Sequence, residues 1–266
     1  MTSRTIRLLV EYDGTHFHGF QRQPGLRTVQ GEIESALSQI LGEPTALIGA
    51  GRTDTGVHAA GQVVSFVTPS DWPLRKLVRG VSSIVGTDLA VQAAQEVPTG
   101  FHARYSALWR QYRYRLLVRP QPSPLRLGRC YWTGTAPLDI GAMQRVWASL
   151  KGRHDFSCWE NQDAANESPF CDILDARMVP VEDEWHLWLK ANRFLYRMVR
   201  NLVGTTLLVG RGTLSEDDFA GMLQARCRQR RGVAVPAAGL CFEAVGYAIG
   251  WEGAATGPPG QNRPVA

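Results

Sequence analysis

Lysine is nearly missing from this chain: it occurs only at Lys76, Lys151 and Lys190, so 26 of the 29 basic residues are arginine. Cysteine is sparse as well. The five residues Cys130, Cys158, Cys171, Cys227 and Cys241 are odd in number and form no CxxC pair, which supports neither a disulfide framework nor a zinc site. No apolar run approaches the roughly 20 residues that span a bilayer, and the first residues enter a strand-like pattern without a signal-peptide core. A soluble protein of a reducing cytoplasm is the expectation. Neither a Walker loop nor a GxGxxG fingerprint is found, so a nucleotide cofactor has no evident seat. His58, His102, His154 and His186 share no metal-ligand spacing, and no metal is expected.

What is abundant is arginine. The net charge is +5 and the pI about 9.1, which suits an anionic partner. The guanidinium is a planar fork that grips phosphate bidentately and stacks on bases. Codon usage in a GC-rich genome produces the same bias, so composition alone does not decide. Hydrophobic residues make up 44% of 266, enough to bury a core, and the length suggests two modest domains.

The pattern reads as one unit used twice. Ile6, Leu8, Val10 and Tyr12 alternate as in a strand. Val29, Ile33, Ala36, Leu37, Ile40 and Leu41 share a helical face that Gly42 can end. Strands follow at 46–50 and 63–67, then a helix from Pro73 and a strand at 89–96. In the second half Tyr112, Tyr114, Leu116 and Val118 alternate, and Asp139 can cap a helix with Ile140, Met143, Val146, Trp147 and Leu150 on its buried face. A hairpin is expected from 173–181 and 185–191 across the acidic turn 182–184. One helix carries Met198, Val199, Leu202, Val203 and Thr206, another starts at Ser215, and a strand at 240–247 closes the half. The expectation is an α+β fold of two ferredoxin-like β-α-β-β-α-β halves, with antiparallel sheets and an active-site cleft between them. The halves would span 1–105 and 106–250, and the Gly- and Pro-rich tail 251–266 would be disordered.

Three segments could carry chemistry. Gly51-Arg52-Thr53-Asp54-Thr55-Gly56-Val57-His58-Ala59 lies in a loop between two strands. Arg52 is placed to pair with Asp54, and a rigidly held carboxylate can act as nucleophile or base. An Asx turn at Asp54 is the plainer reading of the same loop. In Phe101-His102-Ala103-Arg104-Tyr105 and Arg110-Gln111-Tyr112-Arg113-Tyr114-Arg115, aromatics interleave with arginines, as suits stacking of single-stranded bases. A half-buried strand with Tyr112 and Tyr114 in the core gives the same pattern. Within residues 192–204, Arg193, Arg197 and Arg200 could face phosphates or form a solvated helix face.

Taken together, these segments resemble the TruA family of tRNA pseudouridine synthases. The resemblance runs in order through Glu11-Tyr12-Asp13-Gly14, Gly19-Phe20-Gln21-Arg22-Gln23, Thr28-Val29-Gln30, the Gly51-to-Ala59 segment, Gly61-Gln62-Val63-Val64, Phe101-His102-Ala103-Arg104, Tyr112 to Tyr114, Met198 to Gly204 and Ala238-Gly239-Leu240. The Gly-Arg-Thr-Asp-x-Gly-Val-His stretch is the most specific part.

The resemblance implies that Asp54 is the catalytic aspartate and that Tyr112 stacks on the target uracil. Arg52 would pair with Asp54 and help to flip the base, and Arg104 would contact substrate. It also implies a homodimer that binds the anticodon arm of tRNA and modifies uridines in its 3′ part (positions 38–40). Converting uridine to pseudouridine gains and loses no atoms or electrons, so no cofactor is expected. Two departures bear on RNA contacts. Residues 81–88 lack the Asn and Leu-Pro common before the family aspartate, and Cys171 stands where a basic residue is common. The competing readings are a non-catalytic RNA-binding or chaperone module and a glycoside hydrolase. The second normally needs two carboxylates flanking the bond, and no second candidate sits in a comparable loop.

Overall fold

Alternation along the first strand decides where the N-terminal core lies. A computed structural model describes residues 3–161, 168–224 and 232–248. The expected tail 251–266 and Cys227 fall outside them. In β1 (Arg4–Tyr12), Ile6, Leu8, Val10 and Tyr12 are buried on one face. Helix α1 (Val29–Leu41) starts where Thr28 Oγ1 accepts from Gly31 N at 3.3 Å and stops at Gly42. It lays Val29, Ile33, Ala36 and Leu37 on that face. Strands β2 (Ile48–Gly49) and β3 (His58–Thr68), helix α2 (Leu74–Ile84) and strand β4 (Leu89–Val97) complete the half. The strands run antiparallel in the order β4-β1-β3-β2.

The second half follows the same plan with additions. Its strands are β5 (Trp109–Leu117), β6 (Tyr131–Trp132), β7 (Gly152–Asp155), β8 (Phe170–Val181), β9 (Glu184–Ala191) and β10 (Leu240–Gly246). Its helices are α3 (Ile140–Ala148), α4 (Met198–Gly210) and α5 (Glu216–Gln224). Asp139 caps α3 as expected, accepting from Ala142 N at 2.8 Å. Trp147 and Trp159 are fully buried, and each indole finds an acceptor: the Trp188 carbonyl and Thr205 Oγ1, both at 3.0 Å. No helix among the described residues is long and apolar enough to cross a membrane.

The expectation of separate antiparallel sheets is corrected at one seam. β10 pairs in parallel with β3, placing Cys241 beside His58 and Phe242 beside Ala59, so one mixed sheet runs β4-β1-β3-β10-β5-β9-β8-β7. The seam needs Gly61. A Cβ there would lie 2.3 Å from the Glu243 carbonyl oxygen, so any other residue would push β10 away. Arg113 reinforces it from β5, donating to Glu243 at 2.7 Å. Boundaries differ in detail too. The strand expected at 46–50 shrinks to Ile48–Gly49, while β3 begins five residues before Val63 and takes in the end of the glycine-rich segment.

The expected turn at 182–184 is present, and it is ionic. Asp183 bonds Arg126 and Arg119, and Glu182 bonds Arg126. Buried Glu184 accepts from Arg115 at 2.7 and 2.8 Å and faces His186 at 2.9 Å. Burial alone would raise the Glu184 carboxyl, but the bonds from Arg115 and His186 outweigh it and hold it below its usual value of about 4.5. Burial pushes His186 below its usual 6.5, with Glu184 acting in the opposite sense. As the pH falls, the unfolded chain therefore takes up both protons before the folded one. The stability from these groups is complete above their unfolded values and fades as the pH falls through the folded ones. Thermal melts should show a Glu184→Gln deficit that is largest near pH 7 and narrows toward pH 3. A gap that stays constant over that range would rule out this linkage.

Candidate active site

Asp54 sits in the loop between β2 and β3, and several groups on either side of it are tied down. Tyr12 and Thr53 share a buried hydroxyl hydrogen bond of 2.8 Å. Thr53 O accepts from Phe20 N at 3.0 Å, and Gly51 O from Gln62 Nε2 at 2.8 Å. Ala50 O takes both Nε and Nη2 of Arg110 at 3.2 and 3.1 Å. Val57 N closes a turn onto Asp54 O at 3.1 Å. Gly19, at φ +85°, lets the neighbouring loop approach, since a Cβ there would lie 3.0 Å from Thr53 O. Rigidity of this kind fixes a reacting group in place.

The Asp54 side chain meets the far half of the chain. Arg200, in the first turn of α4, donates from Nη1 to Asp54 Oδ2 at 2.9 Å, while its own Nε is held by the Val235 carbonyl at 2.8 Å. Its side chain is 14% exposed and that of Asp54 21%. Arg197 approaches the same oxygen more loosely, its Nε 3.9 Å away. Oδ1 accepts no hydrogen bond among the described residues. The ion pair thus falls on one carboxylate oxygen, and the other has no protein partner among the described residues.

Tyr112 lies beside this loop on β5, between Phe242 on β10 and Leu189 on β9. Its ring is met edge-on by Phe194 at 4.9 Å and by Phe242 at 5.0 Å, and the residue is 8% exposed. Burial first, then the nearby Tyr12 and the Asp54 charge, push its hydroxyl far above the usual phenol value. The phenol is therefore neutral at neutral pH.

Of the residues singled out in the sequence, the fold brings together Asp54, Tyr112 and Arg200. It does not pair Arg52 with Asp54. Arg52 is exposed and makes no ion pair among the described residues, whereas Arg200 bonds Asp54 Oδ2 with a guanidinium anchored from behind. Arg104 is also exposed, its guanidinium 5.6 Å from the centre of the Tyr105 ring. Neighbouring Arg110 is a half-buried tie, donating to the carbonyls of Ala50, Arg104, Ala107 and Asn192. Arg200 was visible only as one of three arginines on a helix, with no signal in its surroundings to set it apart.

His58, at the end of the same segment, is structural. Its Nδ1 lies 3.1 Å from Gly14 N and 3.0 Å from Asp13 Oδ1, and its Nε2 2.8 Å from the Gly128 carbonyl. Burial would raise the Asp13 carboxyl, but bonds from Thr15 together with His58 and Arg129 hold it below the ordinary range. No group of three or more His, Cys, Asp or Glu among the described residues could hold a metal ion.

Comparison with known proteins identifies the family. The family model described as tRNA pseudouridine synthase matches residues 8–106 and 146–248, the two stretches that contribute Asp54 and Arg200. The chain is 39% identical to tRNA pseudouridine synthase A of Syntrophotalea carbinolica, covering 91% of this chain and 96% of that one. It is 41% identical to the protein of the same name from Chlorobaculum tepidum (92% and 99% covered) and 42% identical to that from Paramagnetospirillum magneticum (96% and 98%). With the family model matching most of the chain and relatives aligned almost end to end, this chain belongs to the TruA family of tRNA pseudouridine synthases.

Proposed function

We propose that the chain isomerises uridine to pseudouridine in tRNA, with Asp54 starting the reaction. The observation that carries this reading is the division of labour within one carboxylate: Oδ2 is held by Arg200 and Oδ1 is unbonded, beside a neutral buried tyrosine. The reaction breaks the bond from uracil N1 to the sugar and joins C5 to the same carbon; C5 gives up its proton and N1 takes one up. Asp54 either attacks the anomeric carbon or removes a sugar proton. No net atoms or electrons change hands, so the residues present suffice without a cofactor.

The remaining residues take supporting roles. Tyr112 stacks against the detached uracil and assists loss of the C5 proton. Arg52, exposed beside Asp54, fills the space left by the extruded base, which costs a few kcal/mol to unstack. Arg104 contacts the RNA backbone. The target uridines lie in the 3′ part of the anticodon arm, in a cleft between two halves of ferredoxin-like plan. The active form is a cytoplasmic homodimer. The two matching strand orders, β4-β1-β3-β2 and β10-β5-β9-β8, support the doubled plan.

Pseudouridine formation on an unmodified anticodon-arm transcript tests the reading. Asp54→Asn should lose at least about 10²–10⁴-fold in turnover while binding RNA normally. Near-normal turnover of that variant would remove Asp54 from the mechanism, and binding without product from the wild type on several tRNAs would indicate a binding module. Arg200→Met should lower kcat by about a hundredfold with little change in KM, because it frees the carboxylate from its productive geometry. An unchanged kcat would show that the ion pair only stabilises the fold. Tyr112→Phe should bind RNA as the wild type does but turn over slowly, whereas Tyr112→Ala should also lose affinity, since stacking contributes about 1–3 kcal/mol per base.

A further inference from the structure

Two guanidiniums face one carboxylate oxygen at the site, and only one of them is committed. Arg200 is fixed at both ends, by Asp54 and by the Val235 carbonyl. Arg197 is not. Its Nε stands 3.9 Å from Asp54 Oδ2, beyond hydrogen-bond reach of an oxygen that Arg200 already fills. Its guanidinium otherwise lies 5.2 Å from the centre of the Tyr196 ring, and its side chain is 39% exposed. A partly exposed pair at such a distance adds little to stability. Arg197 also occupies a left-handed conformation, φ +58°, at the cap before α4, where glycine or asparagine would sit at less cost. Asp54 balances one positive charge, so the floor of the site carries one arginine charge in surplus among the described residues.

We propose that Arg197 is a positioning residue that grips a backbone phosphate of the extruded nucleotide, giving up its loose approach to Asp54 when RNA enters. The inference rests on the synthase reading given above. The fork donates in one plane to a phosphate, a match that a lysine ammonium meets only as a point charge. The phosphate restores neutrality around Asp54, and its capture sets the sugar against the free Oδ1. Arg52 lies on the loop itself and is exposed, so the two arginines reach the nucleotide from different elements.

The test uses the full chain and anticodon hairpins carrying a single uncharged methylphosphonate on the 5′ or the 3′ side of the target uridine. Arg197→Asn removes the charge while tolerating the left-handed backbone. With unmodified hairpin it should raise KM about tenfold, lower the rate at saturating RNA far less, and reduce the salt slope of binding by about one. One of the two methylphosphonates should cost the wild type a similar factor and cost Arg197→Asn almost nothing more. Arg197→Lys should recover part of the loss. Additive losses at both flanks would overturn the proposal, as would a variant whose saturating rate falls at unchanged KM, since Arg197 would then act on Asp54 itself. If the wild type made no pseudouridine on the unmodified hairpin, the synthase reading would fail, and this proposal with it.

Discussion

Asp54 and Arg200 are 146 residues apart and belong to different halves of the chain. They meet because β3 and β10 lie side by side, and that contact involves only two paired positions on each strand. So short a seam is held by what surrounds it. Gly61 admits the Glu243 carbonyl, Arg113 bonds the Glu243 side chain, and Phe242 wedges its ring against Gly51 on one side and Tyr112 on the other. The residue that packs the seam thus also sets the edge of the tyrosine and the start of the Asp54 loop. A continuous sheet gives the Asp54 loop, the α4 start and the Tyr112 strand one shared frame.

Arginine enrichment suggested an RNA partner, but most of these arginines are spent inside the fold. Arg27 makes a bidentate pair with Asp88 at 2.6 and 2.9 Å, while Arg115, Arg119 and Arg126 clamp the acidic turn. Arg110 is half-buried and donates to carbonyls, and the loss of water around it lowers the pKa of its guanidinium. The structural reason for arginine over lysine is the same as the functional one: a planar fork satisfies several acceptors at once. Arg52, Arg104 and Arg197 make no hydrogen bond or close ion pair through their guanidiniums among the described residues, and neither do Arg75 and Arg79 on α2. Net charge pointed to an anionic partner but not to where on the surface it binds.

The sequence made the amphipathic elements legible because their physics is local. The alternation from Ile6 to Tyr12 and the helical face from Val29 to Leu41 need no knowledge of the rest of the chain, and the caps at Gly42 and Asp139 are read the same way. The first part of β3 was not legible, since Ala59, Ala60 and Gly61 have no apolar alternation and are placed by backbone pairing with β10. Strand β7, Gly-Arg-His-Asp, is an edge strand with polar side chains and likewise carries no periodic signal. In the site, Asp54 stood out through its setting of glycines, but its partner did not. Nearness in sequence favoured Arg52, whereas the ion pair is decided by where α4 begins in space. Departures from the family pattern have local accounts too: Asp88 is engaged by Arg27, and Cys171 is buried in β8, where burial pushes its thiol up to about 12.

The contrast between the two walls of the site fits the proposed isomerisation. The reaction asks for one atom to be held still and another group to turn: the sugar carbon must stay against the carboxylate while uracil rotates from N1 to C5. Asp54 is fixed by an anchored loop and an anchored arginine. The opposite wall is aromatic, with Tyr112 flanked edge-on by Phe194 and Phe242, and its one polar atom is a phenol that burial keeps neutral. Stacking on a ring holds a base to a plane without fixing its direction within that plane, whereas a set of directional hydrogen bonds would resist the turn. A wall of this kind retains the detached base and still lets it rotate, and a dense polar lining would have sacrificed the second property to gain more of the first.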